Sequence, residues 1–232
     1  MPFAAALQPA PLAGSSSLDV PPHVLGVVFP GYHRDEFNDL MWGRGYTEWW
    51  RVGIGKALIP GQHQPQLPRD QYDLSESSTL QDMAAMAHGH GIDSLLLYHY
   101  WYQDAPSIVP GLTTKRILRK PLDTLLAHPE INTSFALTYA DFDMTKKAQG
   151  FDIPGAKERN AHTGATLMHA NHSRKDDYEH ALWLSRNVFA DPRYLRVDGK
   201  PLFAFFSSSS QGYRLEFLST LRATARECCG LE

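Results

Sequence analysis

Asp141 and Asp143 stand two apart in the short stretch DFD, directly after the apolar run SFALTYA at 134–140. Alternate residues of an extended chain share one face, so both carboxylates are expected to point into one pocket. Crowded together, they would push each other's proton affinities apart and leave one group as an acid. Such a pair suits sugar chemistry, where one group protonates the departing oxygen and another supports charge at the ring. The same Asp-x-Asp pattern also serves metal-dependent nucleotide-sugar transfer, where it holds a divalent cation against a diphosphate. Three residues make a weak motif that chance produces readily.

A second concentration of chemistry lies in GRGYTEWW, residues 43–50. Gly-rich loops offer little core in which to bury indoles, yet Glu48 is followed by Trp49 and Trp50. Asn38 precedes them. Further on, Tyr98, His99, Tyr100 and Trp101 run consecutively. Aromatic planes take the C–H face of a sugar ring, while its hydroxyls need donors and acceptors of this kind. The competing reading is that the indoles anchor the loop and that some of residues 98–101 pack against helices, as strand alternation requires. The sequence HANH at 169–172 lies in a polar stretch and is read as solvated. His88 and His90 flank a helix end, where imidazoles cap carbonyls. No metal site and no cofactor are assigned.

These residues need elements to hold them. HVLGVVFP (23–30), SLLLYHYW (94–101), SFALTYA (134–140) and PLFAFF (201–206) read as buried strands. Helical spacing of Leu80, Met83, Ala84 and Ala87 follows the first. Then come PLDTLLAH, with Pro121 in its first turn, a helix faced by Tyr178, Ala181, Leu182, Ser185 and Phe189, and a last one around Phe217, Leu218, Leu221 and Ala225. Asp198-Gly199 predicts a hairpin before the fourth strand. Residues 31–73 and 144–174 read as long loops. Four strand–helix units imply parallel strands with helical crossovers, about half of an eight-unit barrel or else a small doubly wound sheet. No GxGxxG or P-loop follows any strand. In either fold the strand ends named above face one side, where ligands bind.

Composition narrows the class. The 232 residues are 43% hydrophobic and 20% charged, with formal charge -3, which gives no argument for nucleic acid as partner. No apolar run reaches the ~20 residues of a membrane span. Cys228 and Cys229 are adjacent and cannot join distant segments, and a cytoplasmic location is expected. Residues 1–22, rich in Pro, Ala and Ser, read as a disordered tail, leaving 23–232 as one domain.

The blocks NDLMWGRGYTEWWRVGIGKALIPGQHQPQLPRDQYDL, GIDSLLLYHYWY, KRILRKPLDTLL and DPRYLRVDGKPLF together resemble the glycosyltransferase WbsX family, itself similar to endo-α-mannosidase-type glycoside hydrolases of the family 99 type. The resemblance covers residues 24 to 206. It implies a (β/α) TIM-type barrel, of which this chain supplies about four βα units with long βα loops, and an oligosaccharide or polysaccharide as partner. It places Asn38, Trp42, Glu48 and Trp49 over the catalytic mouth, and His63 and Gln64, in GQHQPQLP, match another of its blocks as candidate sugar contacts.

Two departures follow from the same resemblance. Where the family runs into a Trp-Ala-Asn-Glu-Asn-Trp block, this chain keeps Ala140. Tyr139, Asp141, Phe142, Asp143 and Met144 take the other positions, and Lys146 and Lys147 stand where the family prefers arginines. The family's late-strand Glu-x-x-Glu pair is absent, since no two glutamates here stand three apart. The expectation is therefore a truncated member, inactive alone, that awaits a C-terminal half or self-associates. The alternatives are a non-catalytic glycan-binding fragment and a metal-dependent transferase using Asp141 and Asp143.

Overall fold

The computed structural model describes residues 22–57, 59–63, 66–68, 70–145, 166–206 and 211–231. In chain order they form β1 (Leu25–Val28), α1 (Glu36–Trp42), α2 (Glu48–Gly53), α3 (Ser77–Gly89) and β2 (Ser94–His99). There follow α4 (Ala105–Ile108), α5 (Lys120–Ala127), β3 (Ser134–Tyr139), β4 (Met144–Thr145) and β5 (Thr166–Met168). The last are α6 (Arg174–Asn187), β6 (Arg196–Val197), β7 (Lys200–Pro201), β8 (Phe203–Phe205) and α7 (Gln211–Cys229).

The four apolar runs become one parallel sheet in the order β1-β2-β3-β8. Val27 aligns with Leu96 and Leu96 with Ala136, while Leu137 aligns with Phe203. Aligned residues of parallel neighbours point the same way, so each row belongs to one face. Leu95, Leu97, Phe135 and Leu137 meet Leu80, Leu125, Ala181, Leu184 and Phe217, which puts α3, α5, α6 and α7 over one face in a common core. A separate apolar cluster, with Phe37, Tyr100, Tyr102, Ile117 and Met168, holds the connecting segments beyond the strand ends. Among the described residues β1 and β8 each pair on one side only, and Val27 is 62% exposed.

Local signals account for much of this. Pro121 sits in the first turn of α5 as its missing N–H allows. Ser173 caps α6 by accepting from the Asp176 N–H. Asp198 (φ 51°) and Gly199 (φ 77°) both take the left-handed conformation that a two-residue hairpin between β6 and β7 requires.

The structure corrects the reading of residues 31–73 as irregular, because α1 and α2 lie within them. Asp35 caps α1 by accepting from the Phe37 N–H at 2.9 Å, a start signal present in the sequence. Within 144–174, β4 and β5 pair antiparallel. The tail through residue 21, Gln64, Lys146, Lys147 and Ser207–Ser210 lie outside the described residues. Cys228 and Cys229 are bonded to each other. No helix among the described residues is long and apolar enough to cross a membrane.

Candidate functional site

A cleft of about 340 Å³ opens beside the carboxyl ends of the strands. Phe29 follows β1, Asn38 and Trp42 come from α1, and Glu48 and Arg51 from α2. Tyr100 follows β2, and Phe142, Asp143 and Met144 follow β3. Five expected residues therefore meet here: Asn38, Trp42, Glu48, Tyr100 and Asp143.

Asn38 is 4% exposed, and its Nδ2 has no hydrogen-bond partner among the described residues. A buried amide N–H left unpaired costs about 1–3 kcal/mol. Trp42 presents its ring with the Arg51 guanidinium 5.0 Å from its centroid. Arg51 Nε lies 3.9 Å from Glu48 Oε2, and the Tyr46 hydroxyl donates to Glu48 Oε1 at 3.5 Å. Burial raises the Glu48 carboxyl above its ordinary range, and Arg51 and Tyr46 pull it only part of the way back. Burial, with the Glu48 charge, pushes the Tyr46 phenol up to about 12. Arg51 was not foreseen. It stands one helical turn after Glu48, so recognising α2 would have found it.

Strand alternation splits the run 98–101. Tyr98 and Tyr100 share one face, their rings stacked at 6.3 Å, and Tyr98 also touches Phe29 and Phe206. His99 and Trp101 point the other way, into the helix layer. His99 Nε2 and His180 Nε2 are 2.8 Å apart, and Trp101 stacks on His180 at 4.4 Å while its Nε1 donates to Asp176. One nitrogen of the histidine pair must donate and the other accept, so the accepting ring is neutral. Burial, with Arg116 nearby, lowers His99 to about 3, and burial also takes His180 well below its usual value.

Four further expectations change. Trp49 lies outside the cleft lining: its ring packs between Tyr32 (4.5 Å) and Tyr72 (4.7 Å), and its Nε1 donates to Tyr72 O. His63 is exposed and does not line the cleft. Asp141 and Asp143 do not share a pocket. β3 ends at Tyr139, so strand alternation no longer governs residues 141 and 143. Asp141 is buried with both oxygens taken by Arg214, whereas Asp143 lines the cleft and accepts from the Ala170 N–H at 2.8 Å. In HANH, His169 meets Asp143, and His172 is half-buried against Tyr213 rather than solvated.

Comparison with known proteins agrees with the sequence blocks. Two curated relatives, both named uncharacterized protein WxcX, come from two strains of Xanthomonas campestris pv. campestris. Each is 26% identical over 191 residues, covering 81% of this chain and 24% of the relative. The chain thus spans about a quarter of the length of these relatives. A solved GH99 endo-α-mannosidase from Bacteroides thetaiotaomicron, in complex with bis-tris-propane, has TM-score 0.44 and 13% identity over 80% of this chain and 42% of that one. A second structure of such an enzyme from that organism has TM-score 0.43 and 12% identity, covering 80% and 45%. The profile of the family described as Glycosyltransferase WbsX matches residues 24–230, and the chain belongs to that family.

Proposed function

We propose that the cleft at the strand ends binds a saccharide unit of a bacterial polysaccharide, and that residues 23–232 form part of a (β/α) barrel carrying that site. The observation that carries the reading is a cleft at the strand ends walled by Trp42 and Tyr100 and lined by Asn38, Glu48, Arg51 and Asp143. Such a cleft gives a sugar a ring face to lie on and a donor for one hydroxyl. Glu48 and Asp143 add acceptors, and Arg51 adds a charged donor. Membership of a carbohydrate-active family supports the same class of ligand. A metal-dependent transferase reading loses its basis, because Arg214 occupies both oxygens of Asp141.

The test is titration of the full chain with manno-oligosaccharides and bacterial polysaccharide fragments, followed by tryptophan fluorescence. Asn38→Ala and Trp42→Ala are each expected to weaken binding about fivefold, since one stacking contact or one hydrogen bond is worth about 1 kcal/mol. Equal affinities in both variants would move the site elsewhere.

A further inference from the structure

Among the described residues, β1 and β8 are the two borders of the parallel sheet, and each pairs along one side only. Large apolar side chains lie exposed at both borders. At the first, Val27 is 62% exposed and Met86 of α3 64%. At the other, Phe206, directly after β8, is 52% exposed and Leu215 of α7 70%. An open strand edge with apolar flanks is a template for another strand. We propose that these two borders pair with each other between two copies of this chain. β8 and α7 of each copy then meet β1 and α3 of the other, and eight parallel strands close into a two-subunit barrel.

The order of elements singles out a second copy as the partner. α3 leads from β1 to β2, α5 from β2 to β3, and α6 from β3 towards β8. A crossover helix of this kind packs back over the two strands it joins. Two such places are incomplete among the described residues. α7 follows β8 with no further strand beside it, and β1 has no helix over its outer side. Beside β1 there is instead a groove of about 360 Å³, lined by Gly26, Val27, Met83, Met86, Ile92 and Leu95. α7 carries the matching ridge. Its Phe217 and Leu221 are spent in the core of their own copy, while Leu215 is exposed and Leu218, one turn on, is only half-buried. Each copy therefore lacks at its first border what it carries unspent at its last.

The strand faces agree with the helices. Val27 aligns with Leu96, in the row that points away from the helix layer. Phe206 meets Tyr98 at 5.0 Å and Phe142 at 5.6 Å on that same side. In a closed barrel this row becomes the interior, and about eight strands is the number whose side chains fill it. A half-turn about an axis along the strands keeps every strand parallel, makes two equal contacts and closes after two copies. The clefts of both copies then open at one end, so each is walled in part by the other copy. The pairing rests on the barrel part of the reading above and not on saccharide binding.

The experiment is sedimentation velocity of the full chain without sugar, over a wide range of concentration. Wild type is expected to form dimers and nothing larger. Val27→Lys and Leu215→Glu each put a charge at one border, at positions exposed enough to leave the fold intact by circular dichroism. Each alone should weaken the dimer by about 100-fold or more, because both contacts then bury a charge. An equimolar mixture of the two variants should restore dimers. In that mixture α7 of the Val27→Lys chain meets an unaltered β1 border, and the introduced charges at the other contact are opposite. A wild-type monomer overturns the proposal, and so does a polymer that grows with concentration. Dimers that survive in Leu215→Glu while Val27→Lys abolishes them show β1 pairing with β1, which overturns it too, as does a mixture that stays monomeric. Dimers that bind no sugar leave the pairing standing and sink the saccharide reading, and sugar binding by a monomer does the opposite.

Discussion

Arg214 of α7 grips Asp141 at the end of β3 through two parallel hydrogen bonds, Nε to Oδ2 at 2.6 Å and Nη2 to Oδ1 at 2.8 Å. Both side chains are buried, and the guanidinium also lies 5.0 Å from the centre of the Phe205 ring. The pair ties the last helix to the centre of the sheet and spends Asp141 on that tie. Removing one partner strands the other charge in a dry place. Asp141→Asn and Arg214→Met are each expected to cost about 3–5 kcal/mol, and the double change less than the two combined. Urea unfolding of the four proteins measures this, and single losses below about 1 kcal/mol would show that the pair is replaceable by water.

The His99–His180 contact predicts acid sensitivity. Both rings are buried neutral, so the folded chain binds fewer protons than the unfolded one below the ordinary histidine pKa of about 6.5. Their contribution is fully present above pH 6.5. It is lost as pH falls through the window down to about 3, the value for His99. Each histidine adds a slope of about 1.4 kcal/mol per pH unit within that window. The double substitution His99→Leu/His180→Leu should flatten the stability profile between pH 6.5 and 4. An unchanged slope would mean that carboxylates alone set it.

Trp49 and Trp42, seven residues apart, are expected to respond oppositely. Trp49→Ala removes two ring contacts and a hydrogen bond to Tyr72 O, so it should lower stability by about 1–3 kcal/mol. Saccharide affinity should then stay near wild type as long as the protein is folded. Trp42→Ala should do the reverse. Thermal melts run beside the sugar titrations separate the two effects, and a loss of sugar response in folded Trp49→Ala would return that indole to the site.

Gly31→Ala tests how Glu48 is placed. The new methyl meets Glu48 Cγ and the Phe29 ring below 3 Å, so one of them must move. The expected cost is about 1–3 kcal/mol from overpacking, with saccharide affinity reduced as well. Ala at this position with unaltered binding would show that the cleft tolerates a displaced Glu48.

Much of this chain was legible before folding. The four apolar runs, the Asp198-Gly199 turn and the Pro121 start each depend on neighbours a few residues away, and each was found where expected. Parallel order followed from strands alternating with helices. The short helices α1 and α2 escaped because a Gly- and Trp-rich composition masks a single turn or two of helix, and Arg51 escaped with them.

Residue types at the strand ends identified Tyr100 and Asp143 as candidates, and the family resemblance placed Asn38, Trp42 and Glu48 beside them. What local pattern does not determine is which way a side chain faces once its strand has ended. Asp141 and Asp143 look equivalent by spacing. They part because Arg214, 73 residues further along, reaches one, while the backbone at Ala170, 27 residues along, reaches the other. Trp49 and Trp42 part because Tyr72, 23 residues on, packs against the first. Hydrophobic period and turn chemistry act over a few residues and are written in the sequence. The choice of charge and ring partners is made by packing between distant segments, and only the tertiary structure decided it.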